Sequence, residues 1–154
     1  MARSNQRAIP LWLLVLAAVL LVARVVSYAT KERVGDQVQW LSIDEGMERA
    51  QATNKRILYD FTADWCVPCH QLDAAVFQDV QLARAINESF VPVRVVDRQQ
   101  EEGRNTPEVA ALQKRYAVNG FPTLVFADAD GTERARMEGF SGVKQFERVM
   151  EQAR

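Results

Sequence analysis

The chain's two cysteines lie within Trp65-Cys66-Val67-Pro68-Cys69-His70, and the residues on either side restrict how they can be used. The apolar run 57–62 reads as a buried strand. Segment 69–89 has helical periodicity, with Leu72, Ala75, Val76, Leu82 and Ile86 on one face and a break near Gln78-Asp79. The pair therefore stands where a strand hands over to a helix. A sulfur placed there meets unpaired backbone N–H groups and the positive end of the helix dipole, both of which favour thiolate over thiol. A cysteine of pKa about 8.5 is about 3% ionised at pH 7, and one lowered to about 7 is half ionised, a more than tenfold gain in nucleophile. Cys69, one turn further on and expected to be the more buried, is placed to attack a mixed disulfide formed on Cys66. Cys66 is thus the candidate attacking thiol and Cys69 the resolving one, the two together forming a redox-active disulfide.

The rest of the chain supplies an α/β framework for this junction. Ser42-Ile43-Asp44-Glu45 is a capping box, and Ile43, Met47 and Ala50 continue it at helical spacing, which predicts a helix over 43–53. Residues 90–96 read as a second strand. Pro107 suits a first helical position, and Val109, Leu112 and Tyr116 share a face, predicting a helix over 107–116. Strands over 123–127 and 133–138 around an Asp130-Gly131 turn make an antiparallel hairpin. A helix over 143–152 closes the order, and 38–41 could add a short leading strand. The expectation is a mixed sheet with helices on both faces. Polar residues 98–105 read as a solvated loop.

The N-terminal part has a different character. Residues 8–23 are uninterruptedly apolar, and a helix over 9–26 would be about 27 Å long, close to the thickness of a hydrocarbon core. The domain plan is a cytoplasmic N-terminus over 1–8, a transmembrane signal anchor over 9–28, a linker over 29–36 and a folded domain over 37–154. A cleaved secretory signal is the competing reading, and both versions export the folded domain. Flanking Lys/Arg are balanced, two on the N side and three on the C side, so orientation follows from thiol chemistry: an anchored dithiol is most useful outside a reducing cytosol. The expected location is a bacterial inner membrane, crossed once, with the C-terminal domain in the periplasm. Residues 34–154 carry 14 basic and 19 acidic side chains, an acidic balance that argues against nucleic acid as a partner.

Two other chemistries compete at the cysteines. Cys66-Val67-Pro68-Cys69-His70 also matches the attachment signature of a c-type haem, with His70 as axial ligand and Met47, Met137 or Met150 as the second. Against it, such domains are usually helical around the cofactor. A redox-inert interaction module on the same scaffold is the third reading. With two cysteines and one histidine, no four-cysteine or two-cysteine, two-histidine zinc site can form, and neither metal nor cofactor is called for by the preferred reading.

Asp60-Phe61-Thr62-Ala63-Asp64-Trp65-Cys66-Val67-Pro68-Cys69, followed much later by Gly120-Phe121-Pro122-Thr123, resembles the thioredoxin superfamily. Within it the chain is most similar to the periplasmic C-terminal thioredoxin-like domain of thiol:disulfide interchange proteins of the DsbD type. Tyr116-Ala117-Val118-Asn119-Gly120, Asp130-Gly131 and Gly139-Phe140 carry that likeness, over about residues 37–152. It departs from the type in having one anchor in place of a multi-helix membrane domain, and Pro68 resembles the Gly-Pro dipeptide of cytoplasmic thioredoxin. The resemblance implies a thioredoxin fold and a protein-disulfide reductase. Its partners would be oxidised proteins held through transient mixed disulfides, and a membrane electron donor would renew the dithiol. It also gives roles to further residues. Asp60 would be a buried carboxylate, its pKa raised by desolvation, that takes the proton of Cys69. Pro122 would be a cis-proline facing the dithiol, with Phe121 and a partly exposed Trp65 completing a substrate-binding rim. Asp64 reads as a solvated charge.

Overall fold

A computed structural model describes residues 37–154; the anchor and linker expected over 9–36 lie outside the described residues. Helix α1 (Ile43–Thr53) begins at the expected capping box: the Ser42 hydroxyl accepts from the Glu45 N–H, and the Glu45 carboxylate accepts from the Ser42 N–H at 3.1 Å. Strand β1 (Arg56–Ala63) follows and leads into helix α2 (Val67–Leu72). A π-helical turn over Asp73–Phe77 continues α2. The expected break comes at Asp79, whose carboxylate caps α3 (Val80–Ser89) by accepting the Gln81 and Leu82 N–H groups at 3.0 and 2.9 Å. After β2 (Phe90–Asp97), the segment expected to be plain loop holds a short helix, α4 (Gln99–Glu102). Helix α5 (Pro107–Arg115), the hairpin of β3 (Thr123–Ala127) and β4 (Glu133–Glu138), and α6 (Val143–Gln152) complete the order.

The sheet runs β2-β1-β3-β4, with β1 parallel to β2 and antiparallel to β3, and β3 antiparallel to β4. Beyond β2, Leu41 forms a parallel bridge to Val93, so the expected leading strand is reduced to one bridging residue. Alternation along β1 divides the core. Leu58 joins Leu72, Val76, Phe77, Phe126 and Phe146 on the face covered by α2, α3 and α6. Ile57, Tyr59 and Phe61 join Val93, Val125, Leu112 and Tyr116 on the face covered by α1 and α5. With helices on both faces, β1 is screened from water along its length, and its C-terminal end presents the cysteine pair. Among the described residues no helix is long and apolar enough to cross a membrane.

Helix α1 approaches the sheet so closely that a Cβ on Gly46 would lie 2.1 Å from Cγ2 of Val93, itself fully buried. Gly46→Ala should therefore destabilise the domain. Overpacking of about 1–3 kcal/mol outweighs the roughly 1 kcal/mol that alanine gains over glycine inside a helix. Urea unfolding checks this, and adding Val93→Ala should relieve the clash so that the two effects are not additive.

Candidate active site

Cys66 ends the turn after β1 and is the N-cap of α2, with extended backbone angles and with its Sγ accepting the Cys69 N–H at 3.2 Å. Pro68, which has no N–H to leave unsatisfied, occupies the first turn of that helix. Cys66 and Cys69 are joined in a disulfide, Cα–Cα 5.2 Å. The expected contrast in exposure does not hold in this oxidised state: both cysteines are 2% exposed. What distinguishes them is the backbone donor at Cys66, which is aimed at the sulfur and would hydrogen-bond a thiolate there.

Around the disulfide lies a small apolar cluster of Ala63, Cys66 and Cys69, with Phe121 packed on it. Trp65 is 47% exposed and meets the Phe121 ring edge-on, centroids 5.9 Å apart. The Phe121–Pro122 peptide bond is cis. The Pro122 carbonyl accepts the Gly139 N–H at 2.8 Å, and both ladders of β3 stop at Thr123, leaving Phe121 outside either register. Val67, 64% exposed, stands on the other side of Cys66. Cys66, Cys69, Trp65 and Phe121 are thus one contiguous feature. A concavity of about 640 Å³ lined by Lys55, Arg56, Asp128 and Asp130 lies at the opposite end of β1 from the cysteines.

Asp60 is buried, as expected, but not among apolar residues only. Its Oδ2 accepts from Nε of Arg94 at 3.1 Å, and a terminal nitrogen of the same guanidinium donates to Oδ1 of Asp73 at 2.7 Å. Burial disfavours its charge and the guanidinium favours it. The signal was in the sequence. Arg94 is the one cation in Phe90-Val91-Pro92-Val93-Arg94-Val95-Val96, and in parallel pairing it falls opposite Asp60. A cation inside an apolar strand requires a buried partner.

Asp64 is exposed, as expected, and makes two contacts that brace the turn. Its carboxylate pairs with Arg98, and its carbonyl accepts from Nε2 of His70 at 2.9 Å, so the turn that carries Trp65 and Cys66 is held from both sides. Arg98 opens the 98–106 segment, and that segment is anchored at Asp97. Burial alone would push the Asp97 carboxyl up. Hydrogen bonds from Gln113, Asn105 and the Gln99 N–H outweigh it and hold the group below the ordinary aspartate range. On the far face of the sheet, burial pushes the Tyr59 hydroxyl up to about 12, so this phenol stays neutral at any working pH.

A family model described as a thioredoxin-like domain matches residues 43–154. The thiol:disulfide interchange protein DsbD of Yersinia enterocolitica is 36% identical over 99 residues, 63% of this chain and 16% of that protein. DsbD of Ralstonia nicotianae is 31% identical over 105 residues, 68% of this chain and again 16% of the relative. The chain thus spans about a sixth of the length of the curated relatives it matches. Among solved structures, a DsbH oxidoreductase superposes with TM-score 0.66 and 27% identity, covering 80% of this chain and 90% of the other. The oxidised C-terminal domain of Neisseria meningitidis DsbD superposes with TM-score 0.57 and 27% identity, covering 72% and 91%.

Proposed function

The chain belongs to the thioredoxin-like domain family, and from that premise we propose that it is a membrane-tethered protein-disulfide reductase working outside the bacterial cytoplasmic membrane. One observation carries the reading: a Cys66–Cys69 disulfide at the N-terminus of α2, with a backbone N–H on the Cys66 sulfur. In the reduced enzyme the Cys66 thiolate attacks a substrate disulfide. One S–S bond forms to the substrate, one breaks, and the displaced substrate sulfur leaves as a thiolate. Cys69 then loses its proton to a base and attacks Cys66, releasing the second substrate thiolate and closing the disulfide seen here. The substrate gains two electrons and the dithiol loses them. A thiol donor at the membrane must return those electrons before the next cycle.

Trp65, Val67 and Phe121 suit an extended polypeptide, because Trp65 and Val67 are exposed large apolar side chains on either side of Cys66 in the chain and Phe121 packs on the disulfide. Phe121, outside the β3 ladders, has a position from which its backbone could pair with such a strand. The apolar stretch 9–28 supplies the tether, and the charge balance of the flanks leaves the thiol chemistry to favour the periplasmic side.

Direction follows from what surrounds Cys66. Val67 and Pro68 add no charge or polar donor beside Cys66, so the thiolate is stabilised less than in strong oxidants. Equilibration with glutathione tests this. In a buffer poised near about -180 mV the dithiol should be almost wholly oxidised. A dithiol that remains mostly reduced there would make the protein an oxidase or isomerase.

A further inference from the structure

Beside the loop that carries Phe121 lies a groove of about 590 Å³ whose lining includes Gln99, Arg104, Asn105, Gln113, Lys114 and Asn119. One wall is the 99–105 segment. The residue before it, Arg98, pairs with Asp64, two positions ahead of Cys66, and Asp97 falls opposite Ala63 in the β1–β2 register. The other wall is the end of α5, where Ala117 takes the left-handed conformation at φ 48° and the Val118 N–H bonds back to the Gln113 carbonyl at 2.9 Å. From Asn119 the chain reaches Phe121 in two residues, so their Cα atoms are no more than about 7.6 Å apart. Phe121 in turn packs on the Cys66–Cys69 cluster. The groove is thus continuous with the candidate active site.

Its polar groups differ in what they are free to do. Asp97, 7% exposed, accepts from Nε2 of Gln113 at 2.8 Å, from Nδ2 of Asn105 and from the Gln99 N–H at 3.0 Å, while Oδ1 of Asn105 accepts the Arg98 N–H at 2.6 Å. These bonds hold the two walls together. Arg104 and Lys114 stand outside that network: both are exposed, and among the described residues neither side chain makes an ion pair or a hydrogen bond. The lining includes no carboxylate among the described residues, although 34–154 as a whole carry 19 acidic side chains against 14 basic. Two unneutralised cations in an acidic domain, next to a reactive sulfur, fit an anion carried by whatever binds there.

We propose that this groove is a substrate subsite that takes a carboxylate side chain lying a few residues from the disulfide of the oxidised polypeptide, with Arg104 and Lys114 as its counter-charges. This rests on the reading of Cys66 as the attacking thiol and adds to it a preference for acidic sequence. An extended chain that meets Trp65, Val67 and Phe121 runs on into the groove past Asn119. Exposed ion pairs are individually weak, so the preference is a modest ratio of rates and is sensitive to salt.

The full chain is reduced and mixed with short peptides whose single cysteine is joined to a chromogenic aromatic thiol. When Cys66 attacks the peptide sulfur, one S–S bond forms, the bond to the aromatic sulfur breaks, and its electron pair leaves on a coloured thiolate. Aspartate is placed in turn at each of the five positions on either side of the cysteine and compared with asparagine there. Each rate is divided by that with 2-mercaptoethanol, an uncharged thiol, which removes the peptide's own effect on its disulfide. At one or more positions aspartate should react roughly threefold to tenfold faster at low ionic strength, and the ratio should fall toward unity in high salt. Arg104→Gln combined with Lys114→Gln should erase the preference. Arg104→Glu combined with Lys114→Glu should invert it, favouring lysine at the same position. Lys144→Gln, the same charge change at an exposed lysine of α6 outside the groove, should keep the wild-type ratio. Equal rates at every position in the wild-type protein would overturn the proposal, as would a preference that survives the double glutamine change or is lost equally in Lys144→Gln. If no peptide releases colour, the reading of Cys66 itself fails, and the proposal with it.

Discussion

Alanine at Cys66 should bring the reduction of a protein disulfide down to the uncatalysed background, while alanine at Cys69 should leave a single, stoichiometric attack and no turnover. The asymmetry follows from where the two sulfurs sit. Cys66 caps α2 and receives a backbone N–H, whereas Cys69 lies within the first helical turn and has only Cys66 to attack. Removing the nucleophile removes every later step. Removing the resolving thiol leaves the first bond exchange intact and strands the substrate on Cys66. Turnover assays with both variants, with alkylation of Cys66 in the Cys69→Ala protein as a measure of its reactivity, check the assignment. Equal residual turnover in the two variants would contradict it.

Phe77→Ala should strongly destabilise the domain. The ring is fully buried, packs edge-on against Trp40 at 4.9 Å and Phe146 at 6.3 Å, and lies 5.6 Å from the guanidinium carbon of Arg94. Truncating a buried phenylalanine to alanine costs about 3–5 kcal/mol, a large part of the stability of a domain this size. Urea denaturation should show the loss. Phe126→Ala, equally buried and packed against Phe90 with centroids 5.1 Å apart, should lose comparable stability.

Much of the scaffold could be read from the chain, because the decisive signals are local. The capping box at Ser42, the helix break at Asp79, Pro107 at a helix start and the Asp130-Gly131 turn each act within a few residues, and all appear where the pattern put them. The meeting of strand and helix at Cys66 was legible for the same reason. What was not legible depends on partners distant in sequence. Arg94 finds Asp60 only through parallel register, and Trp40 reaches Arg94 only because Leu41 adds to the edge of β2. The π-helical turn at Asp73 has no periodicity of its own to announce it, and α4 is a single turn too short to produce one. The expected exposure of Cys66 failed because the disulfide and the Phe121 ring cover it, which a helix-terminus position cannot reveal.

The most direct test is to express the full chain with Cys69→Ala in a Gram-negative bacterium, quench free thiols with acid, and look for covalent complexes by non-reducing electrophoresis and mass spectrometry. The prediction is a set of exported proteins bound through Cys66, released by reductant and absent when Cys66 is also alanine. A chain that forms no mixed disulfides, or forms them equally without Cys66, would contradict a thiol-exchange role.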